Sequence, residues 1–154
     1  MIFVALGTQD KSFKRLLDLA EKINTNDKII CQAGFTKYES NKLEIHDYFD
    51  TDEYSRIINE ADIVITHGGV GTILNALSLN KKIIVVPRLK KYGEHQNDHQ
   101  LQVARVFDKK DHIVLFEDGN DINEVLKKAK DFSPKPFVSN NANFVNKMKD
   151  YLDL

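Results

Sequence analysis

The sequence has one cysteine and no excess of charge of either sign. A lone Cys31 excludes an internal disulfide and a zinc cluster built on cysteines, which fits a reducing cytosol, and we expect it to be a buried strand thiol. Lysine and arginine number 22 and aspartate and glutamate 23, so no overall field attracts polyanions, and we expect no nucleic-acid partner. Any phosphate must be bound by a local group of residues.

Long apolar runs are absent too. No segment approaches the roughly 18 apolar residues of a membrane-spanning helix, and residues 1–10 are typical of a first strand rather than of a secretory signal. Repeats, low-complexity tracts and flexible linkers are also missing. We therefore expect one domain over residues 1–154, located in the cytoplasm, because a hydrophobic content of 42% suffices for one core.

Short runs rich in valine and isoleucine alternate with segments of helical period, as in βα units around a mostly parallel sheet. The pattern predicts an α/β fold, a single Rossmann-like, doubly wound sheet of about six strands. The expected strands are 2–6, 28–32, 43–48, 63–66, 83–86 and 112–116. The expected helices are 12–24, 52–60, 71–79, 96–107 and 122–130.

Two helix starts and a last helix are marked in the sequence. Asp50 with Glu53, and Asp121 with Glu124, have the spacing of capping boxes. After a Pro-Lys-Pro step, an apolar stripe predicts a helix over 139–152. That stripe either packs on the sheet or docks a partner, and both interpretations stay open.

A glycine turn lies between the fourth expected strand and its helix. Such a turn brings backbone N–H groups and the positive end of a helix dipole to one point, which suits a phosphate. Gly68, Gly69 and Gly71 let an anion approach the main chain, and Thr72 adds a hydroxyl. A purely steric role for the glycines is the alternative. The turn matches neither the Walker pattern nor GxGxxG, which disfavours nucleotide hydrolysis and hydride transfer.

A polar cluster occupies residues 93–100, just after the fifth expected strand, with two histidines, two glutamines, two acids and an asparagine. These side chains both donate and accept hydrogen bonds, as sugar hydroxyls require. A metal site at His95 and His99, or a merely solvated helix start, are the alternatives. The turn Gly7-Thr8-Gln9 is expected to face the glycine turn if strands one and four are neighbours, and a plain turn is the alternative.

The segment from His67 to Asn75, followed by Pro87 and Asp98-His99-Gln100, resembles the C-terminal, donor-binding domain of GT-B glycosyltransferases of the family 28 type. The string THGGVGTILNAL…VVPR…GEHQNDHQ is also similar to stand-alone catalytic subunits of two-part enzymes. These include the soluble subunit of the dolichol-linked GlcNAc transferase and bacterial exopolysaccharide or capsule galactosyltransferase subunits. The resemblance covers nearly the whole chain, and the bacterial branch fits best.

The resemblance implies roles for individual residues, in three groups. The diphosphate of a UDP-sugar would contact His67, Gly68, Gly69, Gly71 and Thr72, with Gly7, Thr8 and Gln9 opposite. The uridine would contact the backbone near Phe49 and also Asn75, which stands where many relatives have a ribose-binding glutamate. The donor sugar would contact Glu94, His95, Asp98, His99 and Gln100.

The resemblance also implies a reaction and a partner. The chain would belong to an inverting hexosyltransferase that moves galactose or GlcNAc from a UDP-sugar to a polyprenyl-diphosphate-linked sugar in surface polysaccharide synthesis, without a metal or other cofactor. A membrane-anchored subunit would bind the acceptor, recruit this chain to the inner face of the membrane and supply the base. His95 and Glu94 are the candidate bases in this chain, and isolated copies could form a homo-oligomer.

Two other functions remain possible from the sequence. A non-catalytic nucleotide-sugar-binding or regulatory subunit would have the same binding residues. A UDP-sugar epimerase of related fold is disfavoured, because that chemistry needs a second domain in the same chain.

Overall fold

A computed structural model describes residues 1–137, so the helix predicted over 139–152 lies outside the described residues. Residues 1–137 contain six strands: β1 (Ile2–Ala5), β2 (Ile29–Gln32), β3 (Glu44–His46), β4 (Ile63–Thr66), β5 (Lys82–Val85) and β6 (Val114–Leu115). They alternate with five α-helices: α1 (Lys14–Glu21), α2 (Thr51–Glu60), α3 (Val70–Ser78), α4 (His99–Lys109) and α5 (Ile122–Asp131). A short 3₁₀ helix, Lys90–Tyr92, precedes α4. None of the helices in the described part is long and apolar enough to cross a bilayer.

The strands form one parallel sheet in the order β3-β2-β1-β4-β5-β6, which confirms the predicted fold class. β1 pairs with β2 on one side and with β4 on the other, Ala5 lying opposite Thr66. The strand order therefore reverses between β1 and β4. Loops that follow these two strands diverge to opposite faces of the sheet, and the crevice between them is the usual ligand site of an open α/β sheet.

The core consists of two apolar layers, one on each face of the sheet. Residues from α1 and α5 pack on one face, and residues from α2, α3 and α4 pack on the other. β1, β2, β4 and most of β5 are buried on both faces, which explains why they are runs of valine and isoleucine rather than alternating patterns. The predicted burial of Cys31 is confirmed, and burial raises the pKa of its thiol to about 12.

Most elements start and end within two residues of the predicted bounds. For α1, β6 and α4 the difference has an identifiable local reason. α1 starts at Lys14 rather than Ser12, because Phe13 has non-helical dihedral angles (φ −131°, ψ 53°) and its ring is fully buried. β6 is shorter than the predicted 112–116, since the N–H of His112 donates to Phe107 O at the end of α4.

α4 starts three residues later than predicted. Before it, Asn97 Oδ1 accepts a hydrogen bond from the N–H of His99 (3.1 Å), and His95 Nδ1 accepts one from the N–H of Asn97 (3.3 Å). These side-chain acceptors compete with the carbonyl acceptors of a helix. Residues 96–98 therefore form a tight irregular turn.

At both predicted helix starts the aspartate of the predicted capping box is the N-cap residue and accepts backbone hydrogen bonds. Asp50 accepts a hydrogen bond from the N–H of Glu53 (2.8 Å), and Asp121 accepts from Asn123 (2.8 Å) and Glu124 (3.3 Å). Each carboxylate satisfies a backbone donor that has no partner inside its helix.

The cap at Asp50 allows a direct test. Replacing Asp50 with alanine should lower the free energy of unfolding by about 1 kcal/mol, because the N–H of Glu53 loses its acceptor. Urea unfolding followed by circular dichroism measures the change. Asp50→Asn is the control, since its amide oxygen can still accept, and a loss as large as that of alanine would contradict the capping role.

Candidate functional site

A cleft of about 620 Å³ opens at the carboxyl ends of β1, β2 and β4. It brings together nearly all residues predicted to contact the diphosphate and the uridine, and of these only Gly68 does not line it. The predicted residues in its wall are Gly7, Thr8, Gln9, Phe49, His67, Gly69, Gly71, Thr72 and Asn75. The expectation that the turns after strands one and four face each other is thus confirmed.

The start of α3 forms one wall of this cleft. Gly69 is its N-cap residue, and the carbonyl of Gly69 accepts from the N–H of Ile73 (3.1 Å). Backbone N–H groups earlier in the first turn, including those of Gly71 and Thr72, have no acceptor within their helix. Gly71 and Thr72 line the cleft, so this wall presents main-chain donors and the positive end of the α3 dipole.

The ring of His67 is held between two glycines of the cleft wall. A β-carbon added to Gly7 would lie 2.5 Å from His67 Nε2, and one added to Gly69 would lie 2.2 Å from His67 Cε1. Gly7 also has a φ of +83°, which disfavours any side chain. Both positions therefore need glycine to make room for the imidazole.

Gly68 is explained by a different neighbour. A β-carbon there would lie 2.7 Å from Gln100 Cβ and 2.8 Å from Gln100 O. A β-carbon on Gly71 would meet nothing within 4 Å. Internal packing thus accounts for Gly68 and Gly69, as the steric alternative proposed, whereas Gly71 is left bare at the open end of the helix.

His67 is neutral at ordinary pH. Burial lowers the pKa of its imidazole to about 4, and the nearby positive charge of Arg88 acts in the same direction. Its Nδ1 lies 3.2 Å from Nε2 of Gln100. In the ligand-free chain, above this pKa, the ring is therefore uncharged and has a single N–H to donate.

The far end of the cleft lies between β2 and α2. Gln32 Oε1 accepts a hydrogen bond from the N–H of Phe49 (3.0 Å), which fixes the backbone predicted to lie beside the uracil. Across from it, burial raises the pKa of Tyr54, and a hydrogen bond with the Asn75 side chain partly offsets that effect. Asn75 is thus placed in the cleft by α3 and paired with a residue of α2.

Two of the predicted sugar ligands lie in the interior. Glu94 is 4% exposed, and its carboxylate accepts two hydrogen bonds from Arg15 (2.9 and 3.0 Å) and one from the N–H of Leu89 (3.0 Å). Gln100 is 2% exposed, and its Oε1 accepts from the N–H groups of Gly68 and Arg88 (both 3.0 Å). The structure thus engages both side chains in holding loops together, so a merely solvated helix start does not describe these two residues. Their contact with a sugar stays a prediction.

The side chain of Arg88 connects these loops. It is 1% exposed, and its guanidinium donates to the carbonyls of Leu6 (2.8 Å), Lys11 (2.8 Å) and Glu94 (3.1 Å) while stacking over the ring of Phe13 (4.8 Å). Burial lowers the pKa of Arg88, and the charges of Glu94 and Asp10 oppose that effect. The loop after β1 is thereby fixed to the loop after β5.

The other predicted sugar ligands, His95, Asp98 and His99, are partly or fully exposed. Asp98 lies at a neighbouring cavity of about 350 Å³, which Arg15 and Asp118 also line. Within residues 1–137, no three histidine, cysteine or carboxylate side chains are placed to hold a metal ion. Contact of these three residues with a sugar stays a prediction.

The two candidate bases in this chain are poorly placed to accept a proton. Glu94 is ion-paired with Arg15. His95 accepts a hydrogen bond at Nδ1 from the N–H of Asn97, so its neutral ring carries the proton on Nε2 and acts there as a donor.

Sequence reasoning missed two kinds of site residue. Gln32, Tyr48, Thr51, Tyr54 and Ser55 line the cleft although none was predicted to do so. Gln32 ends β2, so the rule that ligands bind at carboxyl ends of strands could have identified it. Arg15 and Arg88 were missed because a buried arginine gives no signal in composition or spacing.

Comparison with known proteins identifies the family of this fold. The model of the glycosyltransferase family 28 C-terminal domain matches residues 1–154.

Relatives include the UDP-N-acetylglucosamine transferase subunit ALG13 of Candida albicans, 28% identical over 83 residues. That alignment covers 54% of this chain and 27% of the relative. A second relative, from Streptococcus thermophilus, is a UDP-N-acetylglucosamine–N-acetylmuramyl-(pentapeptide) pyrophosphoryl-undecaprenol N-acetylglucosamine transferase, 30% identical over 130 residues. This second alignment covers 82% of this chain and 35% of the relative, so the chain spans only about a third of the length of either protein.

A solved structure shares the fold. The NMR solution structure of ALG13 superimposes with a TM-score of 0.60 at 23% identity, covering 96% of this chain and 94% of that one.

The glycine contacts give a test of site packing. Gly7→Ala and Gly69→Ala should each lower the melting temperature, because either β-carbon collides with the imidazole of His67. Gly71→Ala is the matched control and should leave the melting temperature unchanged or raise it, since the position is helical and open. Equal destabilisation by all three substitutions would contradict this packing.

Proposed function

The chain belongs to the glycosyltransferase family 28 C-terminal domain family, and on that premise we propose that it is the donor-binding half of a UDP-sugar-dependent, inverting glycosyltransferase. The observation that carries the proposal is the cleft at the switch point, with the open start of α3 in its wall. Free backbone N–H groups and the helix dipole at such a position favour an anion. A nucleoside diphosphate is an anion of matching size.

We assign parts of the donor to parts of the cleft. The diphosphate lies against Gly71 and Thr72, with His67 beside it and the turn from Gly7 to Gln9 opposite. The uridine extends towards Phe49 and Asn75. The hexose leaves the cleft on the side of His95, Asp98 and His99. Support for this order comes from the continuous wall that links the first two groups of residues.

The chemical task of this half is to stabilise UDP as a leaving group. When the anomeric bond breaks, negative charge grows on the β-phosphate, and donors already aimed at that position stabilise it without reorganising. Backbone N–H groups of α3 and the neutral ring of His67 are such donors. Our proposal includes no metal ion or other cofactor, because these donors would stabilise the negative charge on the β-phosphate that a metal ion would otherwise neutralise.

Inversion requires a base on the face of the sugar opposite to the leaving group. The engagement of Glu94 and the tautomer of His95 favour a base on another subunit. We propose that a membrane-anchored partner provides this base and the acceptor site, and recruits the chain to the inner face of the membrane. The relatives support a partner, since one is by name a transferase subunit and both are longer than this chain.

The proposed acceptor is a polyprenyl-diphosphate-linked sugar in surface polysaccharide synthesis, either an exopolysaccharide or a capsule. Support comes from the Streptococcus thermophilus relative, whose name specifies an undecaprenol-linked acceptor. The proposed donor sugar is GlcNAc or galactose, and both named relatives use UDP-N-acetylglucosamine.

A second candidate function is a nucleotide-sugar-binding subunit that is not catalytic. It is favoured because neither candidate base is free to accept a proton: Glu94 is bonded to Arg15, and Nδ1 of His95 already accepts from the N–H of Asn97. The two functions share a binding site and differ only in whether transfer follows.

Reconstitution distinguishes the two functions. The purified chain, a candidate membrane-anchored partner subunit, a radiolabelled UDP-hexose and a short-chain polyprenyl-diphosphate sugar should together yield a labelled lipid. Either protein alone should yield little or none. Binding of UDP-hexose by the pair without transfer to any lipid-linked acceptor would exclude the catalytic function and support the binding subunit.

The position of the diphosphate is tested at Gly71. Gly71→Leu should weaken UDP binding by about tenfold or more in calorimetry, because the side chain would occupy the open start of α3. Leucine is a good helix former, so the fold should persist. Ser78→Leu, at the exposed end of the same helix, is the control and should bind UDP like the wild type. UDP binding unchanged in Gly71→Leu would remove α3 from the site.

A further inference from the structure

The orientation of the Gln100 amide is fixed by two backbone donors. The N–H of Gly68 and the N–H of Arg88 both point at Oε1, each at 3.0 Å. An amide nitrogen cannot accept these bonds, so exchanging the oxygen and nitrogen would leave two buried N–H groups facing a donor. The oxygen must occupy this position.

A fixed oxygen also fixes the nitrogen. Nε2 of Gln100 then faces His67 Nδ1 at 3.2 Å, and both side chains are buried. An amide nitrogen only donates, so Nδ1 of His67 has to be the unprotonated acceptor. Since burial keeps this imidazole neutral, its single proton resides on Nε2.

The protonated edge of His67 is directed to the cleft side of the ring. Nε2 is the atom that a β-carbon on Gly7 would approach to 2.5 Å, and it would lie 2.7 Å from one on Gly69. Gly7, Gly69 and His67 all line the cleft. The bond from Gln100 is therefore on one edge of the ring and the ligand space on the other.

We propose that Gln100 is a positioning residue that holds His67 as the Nε2–H tautomer, so that His67 donates an uncharged hydrogen bond to an anionic oxygen of the bound nucleotide diphosphate. This inference rests on the proposed function for the identity of the ligand. It gives Gln100 a role different from the sugar contact implied by the family resemblance. In the other tautomer, Nε2 would present a lone pair to a phosphate oxygen and repel it.

Gln100→Glu isolates this role. A carboxylate can still accept from Gly68 and Arg88, but it cannot donate to His67 Nδ1. The new carboxylate also raises the pKa of His67, so the comparison is made at a pH above that pKa, where the ring holds one proton. That proton should then reside on Nδ1, where it can bond the carboxylate. Gln102→Glu is the matched control, because it makes the same change in charge on the exposed side of α4.

The primary measurement is the ¹⁵N NMR spectrum of the imidazoles in the ligand-free chain. The wild type and Gln102→Glu should show a protonated Nε2 and an unprotonated Nδ1 at His67, and Gln100→Glu should show the reverse. UDP and UDP-hexose should both bind about tenfold more weakly to Gln100→Glu, in equal proportion, as expected for loss of a bond to a charged group. Binding to Gln102→Glu should match the wild type.

Three results would overturn the inference. They are a wild-type His67 protonated on Nδ1, a Gln100→Glu ring that keeps its proton on Nε2, and a Gln100→Glu variant that loses affinity for UDP-hexose but not for UDP. If Gln100→Glu does not fold, the wild-type tautomer and its scalar coupling to the Gln100 amide still decide. Failure of the wild type to bind UDP would instead reject the proposed function, whereas the tautomer is measured without nucleotide.

Discussion

The binding edge of this sheet depends on the burial of one guanidinium. An arginine removed from water is costly unless acceptors meet its donors. The two terminal nitrogens of Arg88 donate to the carbonyls of Leu6, Lys11 and Glu94, whereas its Nε has no hydrogen-bond partner. Those carbonyls belong to loops that follow different strands. The loops after β1 and β5 can therefore move apart only by exposing a buried charge. This constraint holds in place the loop after β1, whose residues Gly7, Thr8 and Gln9 line the cleft.

Arg15 and Glu94 extend this constraint towards α1. Arg15 donates two hydrogen bonds to the carboxylate of Glu94 and one to the carbonyl of Pro87. These bonds fix α1 to the loop that follows β5. The polar segment 93–100 consequently contains two kinds of residue. Glu94 and Gln100 hold loops together from the interior, while Asp98 is exposed and His95 and His99 are half-buried.

The fold could be predicted from the sequence because its signals are local. Buried strands such as β4 are continuous runs of valine and isoleucine, and Asp50 and Asp121 mark helix starts through bonds to residues two or three positions ahead. Most of the residues that line the cleft could be predicted through the glycine turn and the family resemblance.

The scaffold contacts could not be predicted in this way. Arg88 acts on residues 77 and 82 positions away, and a polar residue looks the same in sequence whether it binds a ligand or a buried carbonyl. Only the three-dimensional arrangement shows that Gln100 is buried in the scaffold whereas Asp98 is exposed. The observed start of α4 differs from the predicted start for a related reason. The turn before the helix is determined by side-chain acceptors on His95 and Asn97.

The packing of the His67 ring between Gly7 and Gly69 has an evolutionary consequence. A side chain at position 7 or 69 would occupy the space that the His67 ring fills. The requirement for glycine at these two positions therefore depends on the presence of the histidine. A smaller residue at position 67 would remove the collision at position 69, and relieve part of the restriction at position 7. Substitutions here are therefore epistatic: a sequence that loses the histidine first is free to lose Gly69 afterwards, whereas the reverse order passes through the collision with the imidazole.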